Sequence, residues 1–202
     1  MEATLPISYY SPTRRSPLSE FFAIIHPIST DAIDYLDRHC FPVGIKKGEF
    51  LVQPGSHTHN LYLLLKGVVR GYILESGKEI TTWINDENEV VGSIRSLGLE
   101  APTEEYIEAI EDSQLIGVPY ETIEFLYANY PEANIIGRKI LEESYREAEE
   151  RAYISRIPSA EKKYKRFMET KGELLNRIPL RFVASYLGMT LETLSRIRSR
   201  RR

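Results

Sequence analysis

The chain has 202 residues, 42% of them hydrophobic and 27% charged, with a formal net charge of −3. That balance is ordinary for a globular protein of one large or two small domains, and no run approaches the roughly eighteen apolar residues that span a bilayer. The N-terminus (MEATLPISYYSPTRRSPLSEFF) lacks the basic, apolar and small-residue order of a signal peptide, so a cytoplasmic protein is expected. A single cysteine, Cys40, excludes an internal disulfide and cannot hold a cluster or structural zinc alone; it reads as a half-buried helix residue. The net charge conceals a dipole. Residues 1–150 carry 12 Lys/Arg against 25 Asp/Glu, whereas residues 151–202 carry 14 against 4, so only the C-terminal piece attracts a polyanion.

Residues 1–16 read as an N-terminal extension. Leu18, Phe21, Phe22 and Ile25, then Ile33 and Leu36, recur at helical spacing and predict two short helices parted at Pro27. From Glu49 to Val118 the texture becomes short β-branched runs: Phe50 to Val52, Leu61 to Leu65, Val68 to Leu74, Glu79 to Ile84, Val90 to Val91, Tyr106 to Ile110 and Leu115 to Val118. Pro54-Gly55, Lys66-Gly67, Ser76-Gly77 and Asn85-Asp86 punctuate them at intervals of about ten, as in an antiparallel sandwich or barrel. The first domain therefore spans residues 17–130.

The helical period returns over Thr122 to Ala128 and again at Pro131, whose fixed φ suits a first turn. Pro131 to Arg156 has no internal proline. Gly137, Leu141, Ser144/Tyr145, Ala148 and Ala152 recur at four and three residues, either as the seam of a homodimer or as a face packed on the chain's own β domain. Residues 131–157 are assigned to this helix. Ile157-Pro158-Ser159 breaks it, and residues 158–202 form the last unit, beginning with a helix over Ala160 to Asn176.

Within LRFVASYLGMTLETLSRIRSR, Val183, Leu187, Met189, Leu194 and Ile197 are apolar, Ala184 is small and Gly188 follows four residues later. A small residue lets two helices cross closely, and glycine relieves the positive φ of a short turn, so the spacing predicts a helix-turn-helix. Thr190 is placed to cap its second helix. At about 100° per residue, Leu194 and Ile197 face inward, while Glu192, Ser195, Arg196 and Ser199 fall outside to meet base edges. Arg grips guanine with two hydrogen bonds and Glu accepts from cytosine. Thr190, Arg198, Arg200, Arg201 and Arg202 are assigned to phosphates. A plain amphipathic hairpin is the alternative, but it needs neither a basic end nor hydroxyls on its outer face.

The whole order, carried by KKGEFLVQPG (46–55), LYLLLKGVVRGY (61–72), GKEITTWI (77–84), VVGS (90–93), EAIEDSQL (108–115) and ASYLGMTLETLSRIR (184–198), resembles the Crp/Fnr superfamily of transcriptional regulators. The resemblance implies an α+β fold: N-terminal helices and an antiparallel β-roll of the cyclic-nucleotide-binding type, a long dimerisation helix and a small helix-turn-helix domain. It implies double-stranded DNA with a palindromic operator, a second copy of the chain and RNA polymerase as partners, and no cofactor. It is similar to the subgroup in which the chain stops soon after the recognition helix, the arginine tail standing in for a β-hairpin wing. In nucleotide-binding members a Gly-Glu pair meets the ribose and an Arg-Ser/Thr-Ala run holds the cyclic phosphate. Here the matching positions are Gly92, Ser93 and then Thr103, Glu104, Glu105, with Arg95 as a substitute cation at a helix start. Two carboxylates repel an anion where arginine would hold it, so a response to cyclic AMP is not expected and the effector, if any, is unassigned.

Rival readings are a regulator gated by a cyclic nucleotide or another small ligand, a metal-dependent cupin-like enzyme suggested by His57 and His59, and a protein-interaction module. The cupin signature lacks its glutamate, since Leu63 and Leu64 occupy that region, and His26 and His39 lie in predicted helices.

Overall fold

The computed structural model describes Tyr10 and residues 13–200. Most of the expected N-terminal extension, and Arg201 and Arg202, therefore lie outside the described residues. Ser16 caps α1 (Pro17–Ile25), its hydroxyl accepting from the Ser19 amide at 3.0 Å, and Ser29 caps α2 (Thr30–His39) in the same way. The split falls at Pro27, as the periodicity predicts. Cys40 is not a half-buried helix residue: it is the C-cap of α2, fully buried, and burial pushes its thiol up to about 11.

Eight strands follow: β1 (Phe41–Ile45), β2 (Phe50–Val52), β3 (Asn60–Lys66), β4 (Val69–Glu75), β5 (Lys78–Asn85), β6 (Val90–Val91), β7 (Tyr106–Ala109) and β8 (Ser113–Pro119). They form two four-stranded antiparallel sheets, ordered β1-β8-β3-β6 and β2-β7-β4-β5. Seven of the eight match predicted runs. The omission is β1, whose Pro42 and Gly44 hide it; Pro42 has no N–H to give a ladder, and β1 sits at an edge where that is tolerated.

Three apolar clusters hold the molecule. Val52, Leu64, Val69, Val91, Ile107 and Leu115 fill the space between the sheets. Leu36, Leu63 and Ile116 join α1 and α2 to α3 (Tyr120–Asn129) and to the start of α4 (Pro131–Arg156). The third gathers α5 (Ala160–Lys171), a 3₁₀ turn (Gly172–Asn176), α6 (Leu180–Tyr186) and α7 (Leu191–Ser199) around Phe167, Val183, Leu187 and Leu194. The helix expected over Ala160 to Asn176 is thus shorter, because at Gly172 the α-helix gives way to the 3₁₀ turn. Val68, Ile84 and Ile110 of the β-roll also enter this third cluster, so the helical end shares a core with the sheets. No described helix is long and apolar enough to cross a membrane.

Candidate nucleic-acid interface and cavity

The turn between α6 and α7 follows from Gly188, whose φ of +62° is open to glycine and costly for a residue with a Cβ. Lys163 of α5 donates its Nζ to the Leu187 carbonyl at 3.0 Å, satisfying the end of α6. Thr190 is the N-cap of α7, its hydroxyl oxygen accepting from the Thr193 amide at 3.2 Å. Leu194 and Ile197 are buried on the inner face, and Glu192, Ser195, Arg196 and Ser199 are all exposed on the outer one.

These outer groups are chemically ready. Glu192 is held below the usual carboxylate range by its own backbone amide and the Thr190 hydroxyl, so near neutral pH it is ionised and only accepts. Arg196 makes no ion pair among the described residues. Ser199 spends its proton on the Arg196 carbonyl at 2.9 Å and keeps its acceptor lone pairs. Of the residues assigned to phosphates, Thr190 is engaged in the cap, Arg198 is half-buried, and Arg200 lies 3.4 Å from Glu161 in an exposed, exchangeable pair.

The helix-turn-helix sits on the β-roll through a dock, made largely to α6, that sequence reasoning missed. Arg70 of β4 is only 2% exposed; its Nε and Nη2 donate to Glu108 at 2.9 and 2.6 Å, its Nη2 to Glu79 at 2.5 Å, and its guanidinium carbon lies 3.5 Å from the centroid of the Phe182 ring of α6. Ser185 of α6 accepts from the Thr81 amide at 3.0 Å and donates to the Glu79 carbonyl at 2.9 Å, satisfying the free edge of β5. Arg177 is bidentate to Glu87 at 2.7 and 2.8 Å and also reaches Glu111 at 2.8 Å; Lys171 reaches Glu89 at 2.9 Å and the Ile84 carbonyl at 3.1 Å. The available signal was a lone arginine inside the apolar run VVRGYIL.

A cavity of about 1010 Å³ lies between the β-roll and α4. All six residues assigned to the altered nucleotide pocket line it: Gly92, Ser93, Arg95, Thr103, Glu104 and Glu105. Ser93 and Thr103 hydroxyls are 2.8 Å apart, and both are buried. Arg95 is not at a helix start; the segment after β6 is a series of turns, and its side chain is exposed. Glu104 is exposed, whereas Glu105 is buried and accepts from Trp83 Nε1 at 2.7 Å and Thr82 Oγ1 at 3.2 Å. Burial raises the Glu105 carboxyl above its ordinary range. His57 and His59 are exposed, and no group of three or more potential metal ligands occurs among the described residues.

On α4, Gly137 does not belong to the outward seam. It packs inside the chain, where a Cβ would come 2.2 Å from the Tyr127 hydroxyl of α3. Beyond it, Leu141 (68%) and Tyr145 (63%) are exposed, as are Ser144, Ala148 and Ala152.

Residues 42–130 match the family model of the cyclic nucleotide-binding domain. The fumarate and nitrate reduction regulatory protein of Vibrio cholerae is 25% identical over 168 residues, covering 77% of this chain and 66% of that protein's length. The transcriptional activator protein Anr of Pseudomonas protegens is 23% identical over 182 residues, covering 84% and 73% respectively. Among solved structures, FixK2 from Bradyrhizobium japonicum superposes with a TM-score of 0.69 at 21% identity, covering 80% of this chain and 83% of that one.

Proposed function

We propose that this chain, which belongs to the Crp/Fnr superfamily of transcriptional regulators, binds a palindromic site in double-stranded DNA as a homodimer, each protomer presenting α7 to a major groove. The observation that carries the reading is the two-sided character of α7: Leu194 and Ile197 anchor it to the core, and Glu192, Ser195, Arg196 and Ser199 stand together in solvent. Arg196 is the guanine reader, Glu192 the cytosine acceptor, and the two serines adapt to either base. Arg198 and Arg200 meet phosphates, with Arg201 and Arg202 beyond the described residues; Thr190 serves first as the cap and offers phosphate its remaining lone pair.

The division of labour is a β-roll platform over residues 17–130, a dimerisation helix over 131–157 and a reader over 158–202. The dimer forms along Leu141, Tyr145, Ala148 and Ala152 of α4, and two-fold symmetry of the protein imposes two-fold symmetry on the site. The work is cytoplasmic, needs no catalysis, and includes contact with RNA polymerase at the regulated promoter. Cyclic AMP is not the signal, since Thr103 and Glu105 stand where a phosphate would need a cation.

Selection of bound sequences from random duplex DNA by the purified protein tests this. The expected outcome is a palindrome with half-site centres about one helical turn, roughly 10 base pairs, apart. An enriched motif without two-fold symmetry removes the dimer, and no enrichment over unbound DNA removes the regulator.

A further inference from the structure

The inner end of the cavity is built around a buried carboxylate with no direct ion pair among the described residues; Arg95 reaches it only through space. Glu105 is 9% exposed, its oxygen Oε1 is held by the neutral donors Trp83 and Thr82, and among the described residues no ion pair reaches it. Burial raises its protonation range even against the lowering effect of its hydrogen bonds and of Arg95, so the charged form is under-compensated there. The Ser93 hydroxyl, 2.8 Å from that of Thr103, is a further hydrogen-bond partner of Glu105, and much of the remaining wall is apolar. Arg95, which lines the cavity, is exposed to solvent.

We infer that this inner end binds an organic cation, an amine on an apolar body whose ammonium seats against Glu105. A ligand ammonium supplies the direct ion pair that Glu105 lacks, and its apolar body replaces water along the wall. An anion of the same shape meets Glu105 at the inner end, whatever it gains from Arg95, Arg138 and Arg151 elsewhere on the wall. The outer part of the cavity, along Leu141 and Tyr145, is where the partner helix of the proposed dimer lies, so the ligand occupies the inner end alone. The inference extends the regulator reading, because the cavity wall is also the support of the reader helix. Thr82 and Trp83 face the ligand, while the neighbouring Thr81 amide and Glu79 carbonyl of the same strand hold Ser185 of α6. A ligand that shifts Trp83 pulls on the strand edge that aims α7.

Trp83 is the chain's only tryptophan, so its emission reports the site directly. The purified full chain, without DNA, is titrated with 4-phenylbutylamine, with its anionic counterpart 4-phenylbutyrate, and with cyclic AMP. The amine is expected to saturate at least tenfold more tightly than either anion. Glu105→Gln keeps an acceptor for Trp83 and removes the charge; it should weaken the amine tenfold or more and leave 4-phenylbutyrate unchanged or tighter. Circular dichroism verifies that this variant folds, and the amine-to-carboxylate ratio of the unaltered chain decides the matter even where it does not. No saturable response to the amine, an anion bound as tightly, or an amine affinity indifferent to Glu105→Gln overturns the site. DNA selection in the absence of any probe judges the regulator separately: lost DNA binding with amine binding intact sinks that reading alone.

Discussion

Two surfaces decide how this chain is put to use, and they are made of opposite materials. The outward face of α4 is apolar, with Leu141, Tyr145, Ala148 and Ala152 uncovered. The dock between the β-roll and the helix-turn-helix is polar at its edges, joined by Arg177 to Glu87 and Glu111, Lys171 to Glu89, and Ser185 to β5. Water cannot satisfy the first, so it calls for a partner whose binding scales with buried area. Water satisfies the edge contacts of the second nearly as well as the protein does, so those edges add little, and the joint is held chiefly by the core that Val68, Ile84 and Ile110 share with the helices and by Arg70 buried under Phe182. The contrast separates a face that only a partner can cover from a joint whose core the chain already covers, leaving only polar edges to water.

The apolar surface is the place to break with the largest effect. Leu141→Glu removes about 1.5–3 kcal/mol of apolar burial on each side of a two-fold seam, hence about 3–6 kcal/mol, on the order of 10²- to 10⁴-fold in dimer affinity. Leu141 is exposed in the protomer, so the monomer should still fold. Analytical ultracentrifugation should find monomers at concentrations where the unaltered chain dimerises; an unchanged dimer removes α4 from the interface.

A smaller effect is expected on α7, where contacts that specify sit beside contacts that only hold. Arg196→Ala should cost about 1–3 kcal/mol on the selected site and flatten the preference for it over random DNA. Truncating residues 200–202 should weaken every sequence alike and reduce the salt slope, since each lost phosphate contact releases fewer counter-ions. If Arg196→Ala leaves the sequence preference intact, α7 is not the reader.

The elements were legible where one periodicity ruled. The bounds of α4, seven strands and the helix-turn-helix follow from apolar spacing, and Thr190 and Gly188 from the chemistry of caps and turns. What stayed hidden depends on contacts distant in sequence. Gly137 fits the four-three repeat of a seam, yet Tyr127 claims it, because a repeat states which residues share a face and not what covers them. Glu104 and Glu105 are indistinguishable as letters, but the irregular segment before β7 turns only the second inward, against Trp83. Arg70 looked like a charge in a strand, and it became the buried cation under Phe182 only once α6 was folded back onto β4 and β5.

The polar dock can be sharpened through acid. Arg177 holds the Glu87 carboxyl down to about 2 by hydrogen bonds, below its ordinary 4.5. A depressed acid contributes stability above its unfolded range, and that contribution is lost as pH falls from about 4.5 toward 2. For a pair about one-third exposed, solvent screening leaves about 1 kcal/mol. Thermal melts of Arg177→Ala should therefore lie below those of the unaltered chain at pH 6 and converge with them toward pH 2; a constant gap at every pH would place the effect in packing instead.

Glu89 should answer in the opposite sense, and at neutral pH. It is largely buried at the same joint, facing the Lys171 ammonium, with Glu147 and Asp86 adding negative charge, and burial pushes its carboxyl up to about 7. A raised acid binds its proton more tightly in the fold than in the unfolded chain. Its contribution is thus complete below about 4.5 and lost as pH rises through 7. Glu89→Gln mimics the protonated form and keeps an acceptor for Lys171, whose other bond, to the Ile84 carbonyl, is untouched. Between pH 5 and 8 the unaltered chain should lose about 1 kcal/mol relative to the variant, about 2–4 °C in melting temperature. Amide exchange locates the loss: if the joint opens as charge accumulates on Glu89, the Thr81 amide held by Ser185 exchanges faster at pH 8 after correction for the intrinsic rate, while amides between β3 and β8 do not. Parallel pH curves for the two proteins would show that Lys171 fully offsets the buried charge, and pH would then leave this edge of the joint unchanged.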